Sequence, residues 1–299
     1  MYLEHFQLNE PPFSLTPSTH YFYKLAGHQA ALNTLMLHLR NGEGFIKITG
    51  KVGSGKTLLC RMLLKRLGEK FFTAYIPNPD LEAITLRKIL AQELGIPEAN
   101  FNDQHTLLSA INLRLMDLHT QGKQVILVVD EAQALPTESL ETLRLLTNLE
   151  TRSSKLLQIV LLGQPELDTR LNQSSLRQLK QRIGFSSKLP LLKYSELGAY
   201  VNHRLMVAGY EGSRPLFSRA ALWLLFQKAK GVPRLVNILC HKALMAAYGR
   251  GKPIVTYREM HDACNDTESV SSHDPLAVIL GVSLAVISAF LLLAWRVSA

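Results

Sequence analysis

A glycine-rich segment between two apolar stretches constrains the fold of this chain more than any other feature. Residues 50–57 read Gly-Lys-Val-Gly-Ser-Gly-Lys-Thr and fit the pattern G-x-x-x-x-G-K-[ST] of phosphate-binding loops. Residues 45–49 are typical of a strand, and residues 58–67 are typical of a helix. The helix N-terminus would face the phosphates, where its dipole and free N–H groups favour negative charge. A glycine-rich turn that opens an ordinary helix is the alternative, and the flanking strand and helix argue against it.

The side chains at the end of this loop predict a nucleotide with a metal ion. Lys56 can reach the β- and γ-phosphates, and Thr57 can place its hydroxyl on Mg²⁺. The glycines let the backbone curl so that several N–H groups point at one anion. ATP and Mg²⁺ are the expected cofactors. The candidate nucleotide-binding residues of the loop are Gly50, Lys51, Val52, Gly53, Ser54, Gly55, Lys56, Thr57 and Leu58.

A second element that ATP chemistry needs is an apolar strand that ends in two acids. Residues 124–129 form a β-branched run, and Asp130 and Glu131 follow it directly. Asp130 would hold the Mg²⁺ shell at the carboxyl end of the strand, and Glu131 would polarise the attacking water. The alternative is a pair of acids that cap a helix. Together with the phosphate loop, the pattern favours the catalytic interpretation.

Four further polar residues are weaker candidates. Gln164 follows another buried strand and would touch the γ-phosphate or orient the water, although a plain loop residue is an equal alternative. Arg182 would reach the γ-phosphate of a neighbouring subunit, and Arg177 competes for that role. Arg234 lies at the start of a helix further along the chain, and it would contact the γ-phosphate and so make that helix sensitive to the bound nucleotide. Taken singly, each arginine is more simply explained as a surface residue.

Composition bounds the class of protein. The chain has 299 residues of which 47% are hydrophobic, which argues against global disorder. Its three cysteines are few and widely spaced, so neither a disulfide framework nor a zinc site is expected, and each is predicted to be a buried apolar residue. The net charge of +9 favours acidic partners such as nucleic acid, nucleotide or an anionic membrane surface. The basic residues are spread along the chain, so a solvated basic surface is an equal alternative.

The order of patterns predicts two domains. Buried strands alternate with helices as far as about residue 193, which indicates a parallel α/β sheet. Only helical patterns follow. We therefore expect an α/β P-loop domain with an N-terminal extension over residues 1–193, a small all-α lid domain over residues 194–266, and a polar linker over residues 267–275.

The C-terminal segment predicts a membrane anchor. Residues 276–295 carry no charge, and as a helix at about 1.5 Å per residue they would be about 30 Å long, enough to cross a bilayer. Trp295 and Arg296 lie where interfacial anchors are expected, and residues 296–299 form a short tail. A buried core helix is the alternative, but no amphipathic pattern is visible. The positive-inside rule and the ATP motif place the preceding domains in the cytoplasm.

These motifs together resemble the AAA+ ATPases, and more narrowly the ExeA/GspA-type secretion ATPases with their short relatives from biogenesis of the mannose-sensitive haemagglutinin pilus. The resemblance covers residues 1 to about 265. The matching stretches are residues 1–6, 12–17, 50–57, 129–133, 143–150, 163–167, 176–179 with 181–183, and 231–237.

The resemblance implies a role for each candidate residue. It places Walker A at residues 50–57 and Walker B at Asp130 and Glu131. Gln164 would be sensor 1, Arg182 the arginine finger and Arg234 sensor 2. Glu131, Lys56, Gln164 and Arg182 are then the expected catalytic residues, with Thr57 and Asp130 at the metal.

The resemblance also implies a cellular setting. Members of this family form ATP-driven rings or other homo-oligomers at the inner membrane of Gram-negative bacteria, with pilus or secretion assembly proteins as partners. Larger members continue past the membrane into a peptidoglycan-binding domain, whereas this sequence ends at Ala299. We therefore expect the short pilus-biogenesis form. A DNA-binding ATPase of the transposition or replication-initiation type is the main alternative, and a nucleotide-dependent scaffold with little turnover is another.

The sequence also predicts positions for one histidine and two tyrosines near the N-terminus. His28 precedes the first predicted helix, which begins at Gln29, and is expected on the surface, with contact to the nucleotide as the alternative. The tyrosines at positions 21 and 23 are expected to pack in the core, with adenine contact as the alternative.

Overall fold

A parallel sheet with helices on both faces forms the first part of the chain. The computed structural model describes residues 2–77, 79–98, 103–151 and 154–267. Within these ranges, five parallel strands form one sheet. The strands are β1 (Phe45–Thr49), β2 (Phe71–Ile76), β3 (Gln124–Val129), β4 (Leu157–Gly163) and β5 (Phe185–Lys188). Their order in the sheet is β2-β3-β4-β1-β5. The predicted parallel α/β sheet is confirmed.

Alternation along the central strands divides their side chains between two cores. In β3, Val125 and Leu127 point to one face of the sheet, while Ile126 and Val128 point to the other. This is the period-two geometry of a strand, and both faces are buried because helices cover both. Strand β5 was not predicted from the sequence. It lies at the sheet edge, and its polar Phe-Ser-Ser-Lys sequence leaves every second residue exposed.

The two cores are closed by different sets of helices. Helices α2 (Ala26–Arg40) and α3 (Lys56–Arg66) cover one face with residues such as Leu35 and Leu63. The other face carries helices with buried residues such as Leu90, Ile111 and Leu143. These helices are α4 (Ala83–Glu93), α5 (Gln104–Thr120), α6 (Thr137–Leu146), α7 (Pro165–Leu171) and α8 (Arg177–Arg182).

The strand order brings the loops of interest together. Strand β4 pairs with β1 on one side and with β3 on the other, and all three run in the same direction. The segments that follow Thr49, Val129 and Gly163 therefore leave the same edge of the sheet side by side. Ligands of open α/β sheets bind at this carboxyl edge.

Helices alone follow the sheet in the second part of the described chain. They are α9 (Tyr194–Val207), α10 (Arg219–Ala229), α11 (Pro233–Gly249) and α12 (Tyr257–Asn265). Ser218 is the N-cap of α10, and its side chain accepts a hydrogen bond from the Ala221 N–H. Helix α12 is preceded by Thr256, which forms a reciprocal capping box with Glu259. We refer to residues 194–267 as the lid.

The N-terminal segment packs against the lid rather than against the sheet. A short helix α1 (Tyr2–His5) and the proline-rich stretch after it contribute Phe6, Phe13 and Tyr21 to the apolar core of the lid. The expected core packing of Tyr21 is thus confirmed. The three cysteines are free and buried, as predicted.

The predicted membrane anchor lies outside the described residues. Residues 276–295, the tail 296–299 and almost all of the linker 267–275 belong to that part of the chain. Among the residues that the structure describes, no helix is both long enough and apolar enough to span a bilayer.

Candidate active site

Two glycines shape the loop between β1 and α3. Gly53 has φ +74° and Gly55 has φ +100°, in the left-handed region where side chains are strained. A Cβ on Gly53 would lie 2.7 Å from the Cβ of Arg234, so only glycine lets the lid approach the loop this closely. Gly55 is the N-cap of α3, which directs the first N–H groups of that helix into the concave side of the loop.

Lys56 lies inside the loop and is buried. Its Nζ donates to the carbonyl oxygens of Gly50 at 3.0 Å and Lys51 at 3.3 Å. Burial lowers the pKa of Lys56, and the nearby carboxylates of Glu131 and Asp130 act in the opposite direction. The ammonium group is thus held beside the cavity by weak carbonyl contacts that an anionic phosphate can replace.

Thr57 and Asp130 meet across the ends of β1 and β3. The Thr57 hydroxyl donates to Asp130 Oδ2 at 2.7 Å, and the Glu131 N–H donates to Asp130 Oδ1 at 2.9 Å. Burial raises the pKa of Asp130, while these two hydrogen bonds lower it. A hydroxyl and a carboxylate oxygen in contact suit Mg²⁺, which prefers oxygen ligands and takes its remaining ones from phosphates and water. The donor set therefore fits the metal that the sequence predicts.

Glu131 is fixed by its backbone and by two amides. Its φ of +51° turns the chain sharply after β3. Its Oε2 accepts hydrogen bonds from Gln164 Nε2 at 2.9 Å and from Gln133 Nε2 at 2.6 Å. Burial raises the pKa of Glu131, but the two amides and Lys56 outweigh it, and the net shift is downward. The carboxylate is therefore ionised at neutral pH and directed by neutral donors.

Arg234 joins this cluster from the lid. It is the second residue of α11, and its backbone N–H donates to the Gly53 carbonyl at 3.2 Å. A cavity of about 290 Å³ lies between the loop, the lid and the N-terminal stretch of residues 14–18, and the Arg234 side chain lines it. The structure thus brings together the loop, Asp130, Glu131, Gln164 and Arg234.

Arg182 lies at the opposite edge of the same sheet. Its guanidinium donates to the Thr147 hydroxyl at 3.2 Å, and two residues later the Gly184 N–H donates to the Phe45 carbonyl at the start of β1. The phosphate loop begins after the other end of β1, about 13 Å away at about 3.3 Å per residue. Arg182 and Arg177 are both exposed, and Arg182 is out of reach of the loop of its own chain.

His28 corrects an expectation from the sequence. It lies within α2, is only 5% exposed, and its Nε2 is 2.9 Å from the Ser54 carbonyl oxygen. Because a carbonyl only accepts, Nε2 carries the proton. Burial lowers the pKa of His28, which keeps the ring neutral. The expected surface position was wrong because α2 begins at Ala26, and His28 continues the buried stripe of Leu32, Leu35 and Leu39 by one turn.

Arg204 is a second residue that sequence patterns did not identify. It is buried in the lid, and its Nε donates to the Pro12 carbonyl at 2.6 Å. Its guanidinium lies 4.6 Å from the ring centroid of Tyr21 and donates to the Tyr200 hydroxyl at 3.3 Å. Arg204 thus ties the N-terminal segment to the lid beside the cavity. Its partners in the N-terminal segment, Pro12 and Tyr21, are too far away in sequence for any local pattern to show the contact.

Comparison with known proteins places this geometry in a family. A family model described as an AAA domain matches residues 39–171. General secretion pathway protein A of Aeromonas hydrophila is 40% identical over 285 residues, which are 95% of this chain and 52% of that protein. This chain belongs to the GspA-type AAA+ family. It spans about half the length of that curated relative.

Solved structures share the AAA+ fold of this GspA-type chain. The ORC2 protein of Aeropyrum pernix, solved as ADPNP–ADP complexes, is 18% identical, with 88% of this chain and 74% of that chain covered and a TM-score of 0.61. The ORC1 protein of the same organism, solved in complex with DNA, is 19% identical, with 85% and 68% covered and a TM-score of 0.62. At these identities the similarity shows the fold alone.

Proposed function

We propose that this GspA-type AAA+ protein hydrolyses ATP with Mg²⁺ and uses the cycle to assist assembly of a secretion complex or a pilus at a membrane. The observation that carries the enzymatic part is the contact of Thr57 with Asp130, directly beside Glu131 and Lys56. An anion-binding loop, a metal-suited oxygen pair and an ionised carboxylate converge at one edge of the sheet.

Each residue of the candidate site has a distinct role in the proposed reaction. The N–H groups of the loop and Lys56 bind the phosphates. Thr57 and Asp130 would hold Mg²⁺, which would neutralise charge on the phosphates. Glu131 orients the attacking water and accepts its proton. Gln164 contacts the γ-phosphate or the same water from the end of β4.

The position of Arg182 supports a site that is completed between subunits. Because Arg182 lies at the far edge of its own sheet, it can stabilise charge only at the phosphates of a neighbouring copy. A homo-oligomer or ring follows, in which each copy gives Arg182 to one neighbour and receives it from the other. Arg234 would report the γ-phosphate to the lid.

The membrane and assembly part of the proposal is supported by sequence. The relative is named for the general secretion pathway, and the uncharged residues 276–295 are long enough to anchor the chain at the inner membrane with its site in the cytoplasm. We propose pilus or secretion assembly proteins at that membrane as its partners. Affinity capture of the membrane-embedded protein followed by mass spectrometry tests it, and recovery of nucleoid proteins instead contradicts it.

DNA binding is the second candidate function. It is favoured by the net charge of +9 and by a fold shared with ORC1, which was solved in complex with DNA. Fluorescence anisotropy with labelled duplex DNA tests this candidate on residues 1–270 and on the full chain. Binding that weakens steeply with salt supports it.

Nucleotide binding and turnover by two variants test the enzymatic proposal. Lys56→Ala is expected to lose ATP binding, because it removes the ammonium group from the loop. Glu131→Gln is expected to bind ATP normally and to lose turnover by about 10²- to 10⁴-fold, the range for loss of a general base. Lys65→Ala, at an exposed position on the same helix, is the matched control. Unchanged ATP affinity in Lys56→Ala would refute the phosphate-loop assignment.

A further inference from the structure

Gln133 connects Glu131 and Gln164, two of the proposed catalytic residues. Its Nε2 donates to Glu131 Oε2 at 2.6 Å, and its Oε1 accepts from the backbone N–H of Gln164 at 2.9 Å. Gln164 Nε2 donates to the same Glu131 oxygen at 2.9 Å. The three residues therefore form a closed set of hydrogen bonds behind the candidate site.

The orientation of the Gln133 amide follows from its partners. A backbone N–H can only donate, so the atom that faces Gln164 N must be the amide oxygen. The amide nitrogen then faces the Glu131 carboxylate, which can only accept when ionised. The backbone of Gln133 is itself held from α7, because Arg170 Nη1 donates to its carbonyl at 2.5 Å. Gln133 is thus fixed at its backbone and at both ends of its amide.

We propose that Gln133 is a positioning residue that orients both Glu131 and Gln164 for hydrolysis. The inference rests on the proposed ATPase function. A rotation that turns the Gln164 amide toward the γ-phosphate or the water takes its Nε2 away from Glu131 Oε2. Gln133 Nε2 then remains as the amide donor to Glu131 Oε2. Gln133 Oε1 still accepts from the Gln164 backbone N–H and so holds that backbone in place. The carboxylate keeps its direction while its neighbour exchanges partners.

Two substitutions separate positioning from folding. Gln133→Met keeps the size of the side chain and removes both hydrogen bonds. Gln133→Glu keeps an oxygen for the Gln164 N–H but replaces the donor to Glu131 Oε2 by a second carboxylate. Gln121→Met, at an exposed position after α5, is the matched control. The full-length protein is assayed for kcat, for affinity toward a fluorescent ATP analogue and for thermal unfolding.

We expect unchanged analogue affinity in both variants and a kcat for Gln133→Met that is lower by about 10- to 100-fold, the range for residues that hold a ligand in place from behind. Gln133→Glu should also lose kcat, because it keeps an acceptor for the Gln164 N–H but offers no donor to Glu131 Oε2. If Gln133→Met fails to fold, the kcat of Gln133→Glu decides. A kcat equal to that of wild type in the folded variants overturns the inference and leaves the proposed function intact. Parallel losses of kcat, analogue affinity and thermal stability indicate a role in the fold alone and overturn it as well. A wild-type protein that binds ATP without turnover overturns both.

Discussion

The hydrogen bond from His28 to the phosphate loop yields a quantitative prediction. Replacing His28 by Leu keeps an apolar side chain of similar bulk in the core below α2 and removes the donor to the Ser54 carbonyl. Replacing it by Gln places an amide N–H near the position of the lost Nε2. Leu is therefore the disruptive change, and Gln is the conservative one that should restore the contact.

The size of the effect follows from the burial of the contact. His28 is 5% exposed and its Nε2 lies 2.9 Å from the Ser54 carbonyl oxygen, so water cannot readily take its place. An unsatisfied buried polar group costs about 1–3 kcal/mol. If the loop relieves that cost by moving out of its binding conformation, ATP affinity falls by about 5- to 150-fold. Thermal stability without nucleotide should change far less, because the apolar packing is kept.

Titration of a fluorescent ATP analogue measures the affinity, and thermal unfolding without nucleotide serves as the control. The prediction for His28→Leu is a raised Kd, with most of the wild-type affinity restored in His28→Gln. Equal affinity in His28→Leu and wild type would refute the argument that this bond holds the loop. A matched loss of affinity and of thermal stability would also refute it, since it would indicate general damage to the core.

The same residue predicts a dependence on pH. Burial lowers the pKa of His28 below its ordinary value of 6.5, so the unfolded chain takes up the proton first. The stability that neutral His28 contributes is fully present above about pH 6.5 and is lost as pH falls through its folded-state pKa. His28→Gln has no such proton. As pH falls through this range, the free energy of unfolding of wild type should therefore decrease more than that of His28→Gln, as urea titrations can show.

Three further predictions concern the metal, the subunit contact and the lid. Asp130→Asn should need at least about tenfold more Mg²⁺ for half-maximal turnover; an unchanged Mg²⁺ dependence would remove Asp130 from the metal. Arg182→Ala should lose turnover that mixing with Lys56→Ala subunits partly restores, with Arg177→Ala as the comparison; no recovery in any mixture contradicts action between subunits. Arg204→Met should lower the free energy of unfolding by about 2–4 kcal/mol, because hydrogen bonds to a charged group contribute about 1.5–3 kcal/mol each; an unchanged urea midpoint contradicts this.

Some elements were predictable because burial on both faces leaves a clear sequence signal. Strands β3 and β4 read as continuous apolar runs, and the structure confirms both. Strand β5 could not be recognised, since it pairs with β1 alone among the described strands and its alternate side chains face solvent. The loop between β1 and α3 was predictable because its glycines meet a steric requirement that few other residues satisfy.

The contacts that polar residues outside the motifs make around the site could not be predicted from the sequence. Gln133 follows Glu131 by two positions, and its contact depends on the left-handed backbone of Glu131, which no local pattern shows. His28 was assigned to the surface because the helix was started one residue after it. Arg204 acts on a segment almost 200 residues away. Each is fixed by tertiary packing rather than by periodicity.

Adjacent carbonyls of the phosphate loop are held by different parts of the molecule. The Ser54 carbonyl accepts from His28 on α2, which belongs to the sheet domain, whereas the Gly53 carbonyl accepts from the N–H of Arg234 at the start of α11 in the lid. Rotation of the lid must therefore break or strain the second contact while the first keeps the rest of the loop in place. If Arg234 binds the phosphates, as we propose, its movement changes the same contact from the other direction. The lid would then respond to the nucleotide through this direct contact with the loop.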